Sequence, residues 1–477
     1  MSDTKNKRKA SENPFYILAT VYGEQTSPLD ADLHRQNRDV WNAWACQGLS
    51  KDEKDDLKKT YAGLIIPEWT EDLQQMVNDA FAKRLPGGPI PSHNRLIDFK
   101  DTDFEQAVGF KGFLFLKYAR FMNAQFREGA DFRNAQFTEV ASFMKAQFKE
   151  EAYFVNAQFT ERASFTGAQF TEEAYFMSAQ FTERASFMGA QFTKEADFRN
   201  AQFNSSANFR GAFFRGDANF TSSCFSSEAL FVLTKFSTKV HFFDARFDDG
   251  GNFGFAEFGD EVVFDVARFK NPAYFTRAKF KRFYPSIGGE TLSGKSSLTA
   301  RADFWPKVAD YSEDAGHLED AISSCAHLRH NMTTQGLPDE AHFFFRCEMD
   351  LRLKLSQGVK KLPLWLYGKV SDYGYSYTRP LRWLIQLWLV WTLVYTPYFL
   401  SQERVETLAT KTAALAKAAG LSFANIFAFF GFHSRFAEIE WSKASNWLIA
   451  FTGLETILGF ILLFFLGLGL RNQFRLK

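Results

Sequence analysis

Four cysteines in 477 residues are too few and too scattered for a disulfide framework: Cys46, Cys224, Cys325 and Cys347 contain no CxxC pair. That usage fits a reducing compartment better than a secreted scaffold. Net charge is nearly absent, with 56 basic against 55 acidic side chains. This removes any global electrostatic pull toward nucleic acid or an anionic surface. Residues Met1 to Asn13 are polar and basic and lack the apolar stretch of a cleaved secretory signal, so the soluble part is expected to stay in the cytoplasm. No carboxylate pair or nucleophilic triad stands in a recognisable context. Neither an enzyme nor a bound cofactor is expected.

What is abundant is phenylalanine, 57 residues against 15 Tyr and 10 Trp. An ordinary core mixes Leu, Ile, Val and Phe, so the bias signals one apolar residue type repeated by rule. The rule is visible from Phe99, Phe104, Phe110, Phe115 and Phe121 onward, with spacing 5, 6, 5, 6. It runs through Phe126, Phe132, Phe137, Phe143, Phe148, Phe154, Phe159, Phe165, Phe170 and Phe176 to Phe280, and all 34 positions of the series are Phe. Two residues before each ring a small residue is usual, Ala in 25 of the 34, as in Ala168-Gln169-Phe170.

An 11-residue period also occurs in right-handed coiled coils, but the spacing within it rejects a helix. Apolar residues recur at i and i+2, which lie on nearly opposite sides of a helix and share one face of an extended segment. Each Ala-x-Phe is therefore a short inward-facing strand and the residues between are corners. Four sides take 22 residues, and about eight coils at roughly 4.8 Å each give a rod on the order of 40 Å long. The pattern resembles the pentapeptide-repeat family, in its Phe-rich variant with alternating five- and six-residue steps. The resemblance covers residues 99–280 and implies an all-β right-handed quadrilateral β-helix whose open ends need caps. Some members of that family mimic DNA, which requires a dense acidic face. Residues 99–280 carry 23 acidic and 21 basic side chains, mixed in pairs such as Glu183-Arg184, so a solvated outer face is expected and no nucleic-acid-related role.

Residues 1–98 carry apolar and aromatic clusters at Pro14–Val21, Trp41–Trp44 and Trp69–Phe81, followed by a Pro/Gly linker at Pro86–Pro91. They predict a mostly helical domain capping the first coil. Beyond the rod, Gly289 to Ser296 fits the spacing GxxxxGK[ST], yet Pro285 stands before it and Pro306 soon after. The strand and helix of a phosphate loop have no room, and a flexible Gly/Ser loop is the better account. His317, Cys325, His327, His330, His342 and Cys347 fall within 31 residues, but their spacings fit no common zinc pattern. Leu318–Thr334 and Asp339–Leu355 read as a helical hairpin joined at Gly336–Pro338, and no metal is expected. Residues 281–372 are thus a loop and helical linker.

The last segment, 373–477, is apolar. Trp383–Leu400 is uncharged over 18 residues and reaches about 27 Å as a helix, enough to span a bilayer. Trp447–Leu470 is a second span containing one ionisable residue, Glu455. An intramembrane acid is either a hydrogen-bonded structural group or a functional one. Basic residues flank both outer ends, Lys360, Lys361, Lys369, Arg379 and Arg382 before the first span and Arg471, Arg475 and Lys477 after the second. The positive-inside rule then places both termini in the cytoplasm, as a multi-pass protein of a cell membrane, by expectation a bacterial inner membrane.

Between the spans a short apolar stretch, Ser422–Phe430, precedes Gly431-Phe432-His433-Ser434-Arg435, giving a re-entrant segment over 421–435. Together with Tyr373-Gly-Tyr-Ser-Tyr-Thr-Arg-Pro380 and Gly453-Leu-Glu455-Thr-Ile-Leu-Gly459, it resembles the pore domain of two-transmembrane potassium-channel-like proteins. That resemblance implies a homo-oligomer, a tetramer, lining a path for ions. His433 and Ser434 depart from the Gly-Asp that ends such filters, so potassium selectivity is not implied. The other reading is a membrane-tethered scaffold whose β-helix binds a cytoplasmic protein.

Overall fold

In the computed structural model, the residues described are 7–26, 29–61, 63–287, 296–311, 314–402, 407–432 and 445–475. Two compact units emerge, Met1–Ser312 with Glu319–Glu340, and Glu313–Leu318 with Ala341–Lys477.

The Phe rule builds the first unit. Among the described residues 36 strands, nearly all of two residues, pair only in parallel across four sheets of ten, ten, eight and eight strands. Partners are 22 residues apart, as in Gln147 with Gln169 and Ala163 with Ala185. The result is a four-sided β-solenoid of about nine turns, one more than the Phe count alone suggests, because strands from outside 99–280 join the two longer sheets. All 34 Phe side chains of the series are buried, none more than 5 % exposed. Rings one coil apart stack face to face, as Phe126 on Phe148 at 4.6 Å and Phe148 on Phe170 at 4.8 Å, while neighbours across the axis meet edge to face, as Phe132 with Phe143 at 5.3 Å. Both are the favoured geometries of aromatic quadrupoles.

The alternation of 5 and 6 has a backbone cause. Each five-residue step is a tight turn closed by a hydrogen bond to the first Phe carbonyl from the N–H three residues on, usually an Ala, such as Ala146 to Phe143 at 3.0 Å. Its third residue is left-handed, and this recurs every eleventh position: Asn123, Asn134, Lys145, Asn156, Gly167, Ser178, Gly189, Asn200 and onward to Val266 and Arg277. A positive φ at that place defines a type II turn. Among the six-residue steps the one left-handed residue is Gly250.

Both ends of the solenoid are covered. Helices α1 (Pro14–Ala19), α2 (Ala31–Ala45), α3 (Lys51–Thr60) and α4 (Glu71–Arg84) precede it. Trp41 of α2 is fully buried against Phe99, Phe113 and Phe115, and its indole N–H donates to the Leu114 carbonyl at 2.9 Å. Asn42 accepts from the Leu114 N–H and donates to the Gly112 carbonyl, so open backbone groups of the first coil are satisfied by side chains. Arg8–Lys9, read in the sequence as part of a polar tail, adds a strand beside Thr102–Phe104. At the far end Trp305 stacks on Phe280 at 4.8 Å, with Tyr284 and Tyr311 behind it. Residues 281–287 and 296–311, expected as part of a linker, therefore belong to the end of the solenoid.

Helices α5 (Ala315–Thr334) and α6 (Pro338–Leu355) follow, separated at Gly336, which takes a left-handed φ of 72°. The second unit then continues through α7 (Lys361–Ser371), α8 (Thr378–Gln402), α9 (Leu408–Ile426) and α10 (Asn446–Arg475). Of these, α8 and α10 are long and apolar enough to cross a membrane, and they contain the expected spans 383–400 and 447–470. The helix between them differs from the expected segment 421–435. It starts at Leu408, thirteen residues earlier, because an Ala-rich stretch of high helix propensity carries it through Lys411 and Lys417. Thr407 and Thr410 close its N-terminus as a reciprocal cap.

Candidate functional site at the buried Glu455

Glu455 stands on α10, seven residues after the buried Leu448, and is itself fully buried. The Tyr395 hydroxyl of α8 donates to its Oε2 at 2.9 Å, the Asn425 amide of α9 donates to the same oxygen at 2.7 Å, and the Ser422 hydroxyl of α9 meets Oε1 at 2.5 Å. Tyr395, Ser422 and Asn425 are themselves fully buried. The Asn425 amide also reaches the Tyr395 oxygen at 3.3 Å, and the Ser422 hydroxyl lies 3.3 Å from the Trp388 carbonyl. One carboxyl group therefore joins three helices.

 Among the described residues no cation stands within ion-pair distance of it, and its donors there are neutral.

Small residues make that meeting tight. Ala414, Ala418 and Ala424 of α9 are buried, and Ala418 and Leu421 pack with Tyr395 and Leu448. The Trp388 indole donates to the Ala419 carbonyl at 3.0 Å. A side chain at Gly459 would stand 2.9 Å from Ile426 Cα, so glycine there lets α10 approach the end of α9. The sequence motif Gly453 to Gly459 thus combines a hydrogen-bonding residue with a contact residue one turn later. One acceptor stays open, since Asn425 Oδ1 is buried without a hydrogen-bond partner.

After α9 a 3-10 turn, Ala428–Phe430, ends at Gly431 with φ 69°. Phe432 follows, its ring 5.5 Å from that of Phe423. His433, Ser434 and Arg435, the rest of the filter-like segment, lie outside the described residues, as do Gly289 to Lys295 of the phosphate-loop-like spacing. Ser296 is described, and its hydroxyl accepts from the Ala273 N–H at 3.0 Å. His317, Cys325, His327 and His330 sit on α5, and His342 and Cys347 on α6. No group of three or more potential metal ligands converges among the described residues.

A second polar cluster organises the turn before α8. Asp372 adopts a left-handed conformation, φ 52° and ψ 49°, at the end of α7. Its Oδ1 lies 3.3 Å from both Arg346 and Arg379, and its Oδ2 lies 3.9 Å from His342. Burial works to raise this carboxyl, but His342 and the two guanidinium groups outweigh it and hold the pKa below the usual aspartate value. The His342 ring stacks on Tyr375 at 3.8 Å, and the Tyr373 hydroxyl donates to Asp350 at 2.6 Å. The Asn472 amide of α10 donates to the Gly374 carbonyl at 2.8 Å. Residues 373–380, noted in the sequence only as a motif, are therefore a junction binding α6, α7, α8 and α10. Sequence reasoning found Glu455 but missed Tyr395, Ser422, Asn425 and Asp372.

The fold and this site define a repeat protein with a four-sided β-solenoid and a helical unit bearing two candidate membrane spans. Within the solenoid, residues 110–155, 132–176 and 176–223 match the family model described as pentapeptide repeats (9 copies). No curated protein and no solved structure matches the chain.

Proposed function

We propose that the protein is a membrane-embedded, oligomeric, channel-like protein carrying a cytoplasmic pentapeptide-repeat solenoid, and that it is not an enzyme. The observation that carries this reading is the order of elements in the second unit. A span (α8), an inserted helix (α9) ending at a left-handed Gly431, and a second span (α10) are joined through Glu455. Two spans per chain cannot enclose a path for ions, so the reading requires several copies, four by the resemblance to two-transmembrane channels. Non-helical backbone at membrane depth is tolerated where it is buried in protein or lines water, and on this reading the left-handed Gly431 and Phe432 take that role. Both termini face the cytoplasm on this reading, as the flanking cations favour.

Ion flux into liposomes holding the purified full-length protein, combined with its native mass in detergent, tests the proposal. A tetramer with measurable cation or anion flux supports it. A monomer or dimer without flux supports a membrane-tethered scaffold instead. The parallel side-chain ladders favour that second reading, for example Gln158, Gln180 and Gln202 in register along one solenoid face, which offer a regular surface to a protein partner.

A further inference from the structure

Beside α7 the second unit holds an apolar groove of about 790 Å³, inside the roughly 300–1,000 Å³ common for ligand sites. Trp365 and Lys369 of α7, Trp383 and Leu387 of α8, and Ile461 and Phe465 of α10 are among its walls. No acidic residue lines it, and Lys369 is the cation at its edge. Lys360, Lys361 and Arg382 are exposed nearby in the chain, and like Lys369 they form no ion pair among the described residues. Arg379, by contrast, is engaged by Asp372. Trp365 and Trp383 are 45 % and 47 % exposed, as befits aromatic residues at a membrane interface.

We propose that this groove holds an acyl chain of an anionic phospholipid, with the headgroup phosphate on Lys369 and Arg382. The apolar floor accepts hydrocarbon, and unpaired cations without a competing carboxylate select a negative headgroup. A zwitterionic lipid offers those cations no net charge. A second copy of the chain, in a two-fold contact through this face, would bring the same cations against each other. The inference rests on both spans entering a bilayer.

Brominated acyl chains quench tryptophan on contact and report the occupant directly. Full-length protein is placed in bilayers containing brominated phosphatidylglycerol or brominated phosphatidylcholine, beside a W365F/W383F variant that isolates the two groove indoles. The expected result is half-maximal quenching of the Trp365 and Trp383 component at a several-fold lower mole fraction of the anionic lipid. A K369Q/R382Q variant is expected to lose that preference. Wild-type protein after detergent exchange is expected to retain anionic lipid by native mass, a measurement that does not depend on any variant folding. Equal quenching by the two headgroups, or a second copy in place of retained lipid, overturns the proposal. Absence of quenching of every tryptophan by either lipid overturns bilayer insertion itself, which is a different failure.

Discussion

The Asn425 amide donates to the Glu455 carboxyl at 2.7 Å across the contact between α9 and α10, and both side chains are fully buried. Because Tyr395 and Ser422 converge on the same carboxyl, removing it strands three polar groups inside the helical unit. Each stranded group costs about 1–3 kcal/mol. Glu455→Leu should therefore lower the stability of the membrane unit by about 3 kcal/mol or more, read as thermal unfolding in detergent. Glu455→Gln keeps an acceptor for Tyr395 and Asn425 and offers its amide to Ser422. It should stay within about 1 kcal/mol of wild type. Equal unfolding of Glu455→Leu and wild type would mean that this carboxyl does not hold the three helices together.

The Phe core makes a separate prediction. Phe176 is fully buried and stacks on Phe154 at 4.9 Å and Phe198 at 4.8 Å, with coils above and below that cannot close over a vacancy. Phe176→Ala should cost about 3–5 kcal/mol in chemical denaturation. The neighbouring Ala174 is fully buried with an inward side chain, so Ala174→Leu should cost about 1–3 kcal/mol by overpacking. Loss confined to one of the two would mean that the interior is less tightly filled than ring stacking suggests.

The solenoid was legible because one residue type repeats without a miss, and the 5 and 6 steps separate strands from corners. The left-handed corner was written just as regularly, every eleventh residue, but its composition is not uniform. Asn, Gly, Ser and Asp announce such a turn, whereas Lys145, Leu233, Phe255, Val266 and Arg277 conceal it. Glu455 stood out as an acid in an apolar span. Its partners did not, because hydrogen bonds between residues 30 to 60 positions apart follow from how helices pack, which periodicity does not encode. The early start of α9 was missed for a simpler reason: hydropathy locates apolar stretches, and Lys411 and Lys417 interrupt one without interrupting a helix. Arg8–Lys9 is a strand only because a sheet edge is there to receive it.

Asp372 supplies a prediction about pH. Its folded pKa lies below the ordinary aspartate value, so the stability it contributes is fully present above that value. It is lost as pH falls through the lower, folded pKa. Asn tolerates the same left-handed backbone, so Asp372→Asn removes the charge and little else. The variant should be less stable than wild type by about 1–2 kcal/mol at neutral pH, since its Arg partners are partly exposed. The difference should shrink below about pH 4 as the wild-type carboxyl protonates. Melting temperatures of both proteins across that range give the answer. A difference that grows toward acid would place the stabilising group elsewhere.

The corner residues give the last prediction, and it runs in both directions. Val266 holds φ at 60°, a conformation that a β-branched side chain resists, while its side chain is 47 % exposed and has little packing to lose. Val266→Gly should therefore stabilise the solenoid by about 1 kcal/mol. Gly189 occupies the equivalent corner with φ 64°, and a Cβ there meets nothing within 4 Å. Gly189→Val should destabilise by about 1–2 kcal/mol through backbone strain alone. Equilibrium denaturation of the two variants separates backbone from packing, because neither substitution creates a clash or a cavity. If both variants shifted stability in the same direction, the left-handed corner would not be what sets the five-residue step.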